Sequence, residues 1–310
     1  MTHFTLTPRG PFSLSAIREF GCGLMVASRE CPSAANEVRL AFPLDGTHQA
    51  VGVRIEQTGP KLKVTVAGTD QHEVVRRQLE RILSLDHDGD AYAALLASDP
   101  VLTAAAKRSP GFRPPVFYSP YAAAGWLVLG HRVRRAQATK WQGEIARACG
   151  DVITVDGVEL ASFPQPESFL SRRGFEGIPE IKWTRLQAVA RAAINGQLEL
   201  EQLVSRPYSV AHAALTRIHG VGPWTADGIL FRGAGLADAF ITSEPQIHHA
   251  VQLAYGLASA PDDDALERVA QTWRPFRTWV SVLLTMQYYQ ATDGVAPTLR
   301  KRGAARKRAA

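Results

Sequence analysis

The segment from residue 211 to residue 233 contains the spacing that most directly indicates chemistry. It reads AHAALTRIHGVGPWTADGILFRG, and two apolar helical patterns flank the turn His219-Gly220-Val221-Gly222. Two glycines within four residues allow backbone amides to come close to a phosphate. Pro223 suits the first position of a second helix, which we predict over residues 224–232. The segment therefore predicts two helices joined by a hairpin, which either binds phosphate or simply connects the helices.

A carboxylate, Glu244, follows this hairpin in a setting that favours its ionised form. Ser243 and Gln246 have the spacing of a capping box, which predicts a helix that starts at Glu244 and Pro245. A carboxylate in a first helical turn can support developing positive charge or activate water. The same placement stabilises a helix by about 0.3 to 1 kcal/mol without any chemistry. Two further carboxylates are alternatives: Asp227, within the second helix, and Asp238, which precedes a Phe240 that we predict to be buried.

Basic charge is concentrated at the end of the sequence. The formal net charge is +6. Residues 294–310 contain no acidic residue, and their six basic residues equal that whole net charge, so the rest of the chain is neutral overall. We predict that this tail is disordered and attracts phosphate without sequence preference, in a way that salt weakens.

Composition excludes several classes of protein. The 310 residues are 45% hydrophobic, enough for about two ordinary domains. We find no apolar run long enough for a membrane span and no signal-peptide pattern, so we expect a cytoplasmic, nucleoid-associated protein. The three cysteines, Cys22, Cys31 and Cys149, are scattered, which favours reduced thiols over disulfides or a metal site.

The order of local patterns predicts an α+β fold. Short, partly alternating segments at residues 38–44, 50–55 and 61–66 indicate an antiparallel sheet, and residues 73–83 have helical spacing. After the proline-rich stretch at residues 110–115, helical patterns dominate. We predict a small N-terminal antiparallel α/β domain over residues 1–110, an all-helical helix-hairpin-helix domain over 111–293, and the tail over 294–310.

Four landmarks of the second region occur in an order that resembles the bacterial 3-methyladenine DNA glycosylase II family, within the helix-hairpin-helix base-excision glycosylase superfamily. The hairpin sequence GVGPWTA is the most specific of them. The segment before residue 110 is similar to the extra N-terminal domain of that family. The landmarks lie at residues 112–131, 163–166, 220–226 and 273–277.

The resemblance implies a DNA repair enzyme. It implies a monofunctional glycosylase that flips alkylated or otherwise damaged purine bases out of double-stranded DNA and hydrolyses the N-glycosidic bond. Glu244 matches the catalytic carboxylate, where the family has aspartate. The alternative is a non-catalytic protein of the same fold that binds damaged or distorted DNA. A third hypothesis, a general interaction module, predicts no preference for damaged duplex.

The resemblance also assigns roles to residues of the hairpin and of the turn at Gly130-His131-Arg132. Trp224 and His131 are predicted in the base pocket, with Arg132 as the wedge that enters the duplex. Trp224 stands where bifunctional relatives have a Schiff-base lysine, so no lyase activity is expected. Gly228 and Thr285 replace family aromatic residues, which leaves the excised base undefined. Predicted DNA contacts are Arg132, Arg134, Arg135, Gly220, Val221, Gly222 and Thr225.

No cofactor is required by this interpretation. Carbonyls of Thr216, Ile218 and Gly220 are placed, as in the family hairpin, to hold sodium or potassium against a DNA phosphate. We expect no other metal and no iron–sulfur cluster, because such a cluster needs four thiolates and the chain has three cysteines. We expect a monomer. The closing helix is predicted to pack through Phe276, Trp279, Val280, Leu283 and Leu284.

Overall fold

The computed structural model describes residues 2–20, 36–240 and 244–292. An antiparallel sheet of four strands forms the N-terminal part. The strands are β1 (Thr2–Leu6), β2 (Glu37–Pro43), β3 (Ala50–Thr58) and β4 (Lys61–Ala67). They lie in the order β1-β4-β3-β2, and the inward residues of β2, β3 and β4 are buried, as the apolar pattern predicts.

The predicted strands and helix of this part are confirmed to within three residues at each end. Helix α1 (Leu14–Phe20) and helix α2 (His72–Ile82) accompany the sheet, and α2 buries Val75, Leu79 and Ile82. Strand β1 is not predicted from the sequence. It is an edge strand that pairs only with β4, and its short sequence THFTL lacks a full alternating pattern.

The remainder of the described chain is mostly helical. Local signals explain several helix starts: Asp99 and Ser119 accept hydrogen bonds from first-turn amides, and proline follows each of them. The helices are α3 (Gly89–Ser98), α4 (Pro100–Arg108), α5 (Pro120–Gly130), α6 (Arg135–Cys149), α7 (Pro166–Leu170), α8 (Glu180–Ile194), α9 (Leu200–Val204), α10 (Tyr208–Leu215), α11 (Pro223–Gly228), α12 (Pro245–Tyr255), α13 (Asp263–Gln271) and α14 (Arg277–Ala291).

One two-stranded hairpin interrupts this helical region, which therefore is not entirely helical. Strands β5 (Val152–Val155) and β6 (Val158–Ala161) are joined by Asp156 and Gly157, both with positive φ. An Asp-Gly pair between apolar strands is the strongest short-range hairpin signal, so the sequence contained the information. The hairpin packs on the N-terminal sheet, where a Cβ on Gly52 would lie 2.6 Å from Val155 Cγ2.

Two large apolar clusters form the core. The first joins the sheet and α2 to α5, α8 and the hairpin helices. The second joins α3 and α4 to the last three helices, and it contains all five residues predicted for the packing face of α14. Because α3 and α4 precede residue 110 yet pack on α14, packing crosses the predicted domain boundary, which stays a prediction. None of the described helices is both long and apolar enough to span a bilayer.

Candidate functional site

A cavity of about 850 Å³ lies where the two apolar clusters meet. Its volume is within the range that binds small organic ligands. Its walls come from α1, α5, α6, α11, α12 and α14, and they are largely apolar and aromatic. The residues that line it include Glu19, Phe20, Leu127, Arg135, Trp224, Gly228, Phe231, Arg232, Phe240, Glu244, Thr285 and Tyr289.

Glu244 lies in the wall of this cavity at the start of α12. It is the N-cap residue, and its Oε1 accepts a hydrogen bond from the amide of Gln246 at 3.4 Å. The prediction placed Glu244 in the first turn, but the helix begins at Pro245, which suits the first helical position. The predicted cap, Ser243, lies outside the described residues. The helix dipole still acts on the carboxylate at the N-cap.

The second oxygen of Glu244 accepts a hydrogen bond from Trp224, with 2.6 Å between Nε1 and Oε2. Trp224 is 43% exposed, and its indole lines the cavity. Both predicted site residues are therefore brought together from segments 20 residues apart in sequence. The carboxylate is held from two directions, by a main-chain amide and by an indole.

The two alternative carboxylates have structural partners and do not line the cavity. Asp238 forms ion pairs with Arg277 at 2.9 Å and Arg274 at 2.9 Å. Asp227 is 5% exposed and accepts a hydrogen bond from the Tyr208 hydroxyl. Glu244 is thus the one of these three carboxylates that faces the cavity.

The positions that depart from the family pattern also line the cavity. Gly228 and Thr285 face it from α11 and α14. A Cβ on Gly228 would lie 2.7 Å from Leu127 Cδ1, so Leu127 occupies part of the space that a larger side chain there would need. Phe240, predicted to be buried, is half-buried, because one part of it contacts Trp273 while another part lines the cavity.

The hairpin between α10 and α11 has the predicted tight turn. Gly220 has φ +89°, a conformation that glycine adopts without strain. The carbonyl of Ile218 accepts a hydrogen bond from the amide of Val221 at 2.9 Å. The predicted second helix is shorter than expected, since α11 ends at Gly228 and a π-helical turn (Ile229–Gly233) follows. Thr225 is 4% exposed, so its side chain is not presented to a DNA backbone.

The predicted wedge turn follows α5 on the surface. His131 and Arg132 are exposed, and Arg132 has φ 56°, which residues other than glycine rarely adopt. His131 does not line the cavity, so its placement gives no support to the predicted base-pocket role. Partial burial and the neighbouring cations Arg132, Lys182 and Arg185 lower the pKa of His131. Of the other predicted contacts, Arg134 is exposed and Arg135 lines the cavity.

Several cavity residues were not predicted from the sequence. Glu19 and Phe20 come from α1 in the N-terminal part, and Tyr289 comes from the last turn of α14. Phe231 and Arg232 lie in the π-helical turn. In the sequence, Glu19 and Tyr289 have no neighbouring motif that would mark them as site residues. Only the packing of α1 and α14 shows that they share one cavity.

The candidate cation site is formed by main-chain atoms. Thr216 is the C-cap residue of α10, and Gly220 has a left-handed backbone conformation. No cluster of three or more potential metal-ligating side chains occurs among the described residues. Sodium or potassium at the hairpin stays a prediction.

Comparisons with known proteins place these features in context. The model of the AlkA N-terminal domain family matches residues 3–119. A DNA-3-methyladenine glycosylase of Bacillus subtilis is 24% identical over 224 residues, which are 71% of this chain and 74% of that protein. A 3-methyladenine DNA glycosylase structure from Archaeoglobus fulgidus has a TM-score of 0.79 at 20% identity, covering 94% of this chain and all (100%) of that one.

A further structural relative is bifunctional. The 8-oxoguanine glycosylase/lyase of Clostridium acetobutylicum, solved with double-stranded DNA containing cytosine opposite 8-oxoguanine, has a TM-score of 0.64 at 15% identity. It covers 94% of this chain and 99% of that one. The fold is thus similar both to a protein described as a glycosylase and to one described as a glycosylase/lyase.

Proposed function

We propose that this chain, whose N-terminal part matches the AlkA N-terminal domain family and which is similar to DNA-3-methyladenine glycosylases in sequence and in fold, excises damaged purine bases from DNA by hydrolysis. The observation that carries the proposal is the carboxylate of Glu244 held in the wall of an aromatic cavity by the Trp224 indole. The activity is a step of base excision repair, and the protein binds DNA through the hairpin side of the cavity.

Glu244 is proposed as the catalytic carboxylate. As the glycosidic bond breaks, positive charge develops at C1′ of the sugar, and an ionised carboxylate beside it stabilises the transition state. The same group can orient or deprotonate the attacking water. The bond from C1′ to the base breaks, and its electron pair leaves with the base. A bond from C1′ to the water oxygen forms, and the water proton passes through Glu244 to the departing base or to solvent. The products are the free base and an abasic site.

The cavity suits a flipped base. Phe20, Trp224, Phe231, Phe240 and Tyr289 supply aromatic surface, which favours planar and cationic rings. Base flipping costs a few kcal/mol of lost stacking, which wedge and phosphate contacts offset. Arg132 is the proposed wedge, because its side chain is exposed beside α5. The turn amides around Gly220 are proposed to contact the DNA backbone.

A second candidate is a non-catalytic protein that binds damaged DNA. One observation favours it: both carboxylate oxygens of Glu244 accept hydrogen bonds from within the protein. In that role Glu244 would only cap α12. Base release from a damaged duplex separates the two functions.

We expect base release without strand cleavage. The described lining of the cavity contains no lysine, and the indole of Trp224 cannot form an imine with C1′. Duplexes that each carry 3-methyladenine, 7-methylguanine, hypoxanthine or a bulkier adduct should be incubated with the protein. Free base is measured by chromatography, and strand breaks are scored before and after alkali. Breaks that form before alkali, together with a covalent protein–DNA complex that appears when borohydride reduces an imine intermediate, would contradict a purely hydrolytic mechanism.

Removal of residues 294–310 should weaken DNA binding mainly at low salt. The six cations in this stretch contact phosphates without reading bases, so the slope of log affinity against log salt should become shallower. Affinity for damaged and intact duplexes is measured across a salt series. A matched control replaces the six cations with glutamine in the full-length chain. Loss of discrimination between the two duplexes would instead place the tail in the recognition surface.

A further inference from the structure

Helix α8 contains two cations that connect the wedge turn to the hairpin. Lys182 is 7% exposed, and its Nζ donates to the carbonyls of Val128, Leu129 and His131, each at 2.9 Å. These are carbonyls at and just beyond the end of α5, which have no partner within that helix. A cation at a helix C-terminus is also favoured by the helix dipole. Lys182 therefore holds the wedge turn in place, and all three of its N–H donors have acceptors within the protein.

Arg185 lies one turn further along α8 and reaches the hairpin. A Cβ on Gly220 would lie 2.4 Å from Arg185 Cγ and 2.8 Å from its Cδ, so the aliphatic part of the arginine packs directly on the hairpin turn. Its positive charge is near enough to His131 and to Lys182 to lower the pKa of both, although burial is the larger cause in each case. Arg185 is thus adjacent to both elements that are expected to contact DNA.

The guanidinium of Arg185 has no anionic partner in the described part of the chain. Its Nε is buried and has no hydrogen-bond acceptor, while the residue as a whole is half-buried. Two neighbouring groups that feel its charge are positive or titratable to positive: Lys182 and His131. A buried donor without an acceptor destabilises the protein. An anion bound at the terminal nitrogens of the guanidinium would offset the mutual repulsion of these cations.

We propose that Arg185 binds a backbone phosphodiester of DNA between the wedge turn and the hairpin. The proposal rests on the proposed function, because both neighbouring elements are those expected to grip damaged DNA. Phosphate oxygens match the fork of a guanidinium, and Gly220 allows the chain to approach closely on the hairpin side. The contact positions the duplex and does not read bases.

The test compares Arg185→Gln with Arg191→Gln, which removes the same charge from an exposed site on the same helix. The ligand is a duplex with one abasic-site analogue, and affinity is measured by fluorescence anisotropy over a salt series. We expect Arg185→Gln to weaken binding about tenfold at low salt. The slope of log affinity against log salt should fall by about 0.9, as for one lost phosphate contact. Arg191→Gln should match the wild type.

A second measurement locates the contact on the DNA. Single phosphates around the lesion are replaced in turn by neutral methylphosphonates. One replacement should weaken the wild type and leave Arg185→Gln unaffected, and Arg185→Lys should keep the salt slope because its charge remains. Equal losses in Arg185→Gln and Arg191→Gln, or the same methylphosphonate profile in Arg185→Gln and wild type, would overturn the proposal. Failure of the proposed function would appear separately, as wild-type protein that releases no base.

Discussion

Glu244→Gln should abolish base release while damaged duplex remains bound. The amide keeps the size of the side chain and an oxygen that can cap α12, so the fold should persist. It removes the negative charge that stabilises the developing positive charge at C1′, and loss of one such electrostatic group lowers the rate by about a hundredfold or more. Single-turnover release of base with excess protein measures this step. Affinity for an abasic-site analogue duplex is the binding readout.

Glu244→Asp serves as the matched comparison. It retains the charge and shortens the side chain by one methylene, roughly 1.5 Å. We expect base release to be retained or raised, since the family has aspartate at this position. Full base release by Glu244→Gln would remove Glu244 from the mechanism and return attention to Asp238, despite its ion pairs with Arg274 and Arg277.

Trp224→Phe should lower the rate of base release by roughly tenfold to a hundredfold. Phenylalanine keeps an aromatic face for the base but lacks the indole N–H that holds Glu244 Oε2 at 2.6 Å. A carboxylate misplaced by about 1 Å can cost about a hundredfold in rate. The single-turnover rate at saturating protein should fall. The protein concentration that gives half of the maximal rate should change little.

A double-mutant cycle distinguishes positioning from base stacking. Trp224→Phe is made in the wild type and in the Glu244→Gln background, and both losses are compared. If the indole acts through the carboxylate, its removal should have little further effect when the carboxylate is absent. Independent losses in the two backgrounds would assign Trp224 to base stacking alone.

The sequence predicts local elements of this fold well because their signals are local. Strands β2 to β4 and helix α2 follow from alternation and helical periodicity, and α14 has the expected packing face. The β5–β6 hairpin could also have been predicted, since Asp156 and Gly157 separate two apolar strands. Its two strands are only four residues long each and lie between segments with helical patterns, which obscure the signal.

The site is only partly predictable for a different reason. Trp224 and Glu244 were identified as separate site residues, but their hydrogen bond depends on where α12 starts relative to α11. Glu19 enters the cavity through the packing of α1, which no local pattern specifies. Thr225 was expected to contact DNA, but its side chain is buried. The sequence does not predict this burial, because burying a polar side chain is unfavourable unless it is hydrogen-bonded.

The contact at Gly52 limits how the N-terminal sheet can be exchanged or removed. Any larger residue there would put its Cβ 2.6 Å from Val155 Cγ2 and 2.8 Å from Ile153 Cγ2, so the sheet and the β5–β6 hairpin are fitted to each other. At a separate contact, Gln287 of α14 donates a hydrogen bond to the carbonyl of Ala105 in α4 at 2.7 Å. A chain shortened to the helical region would expose both surfaces to water.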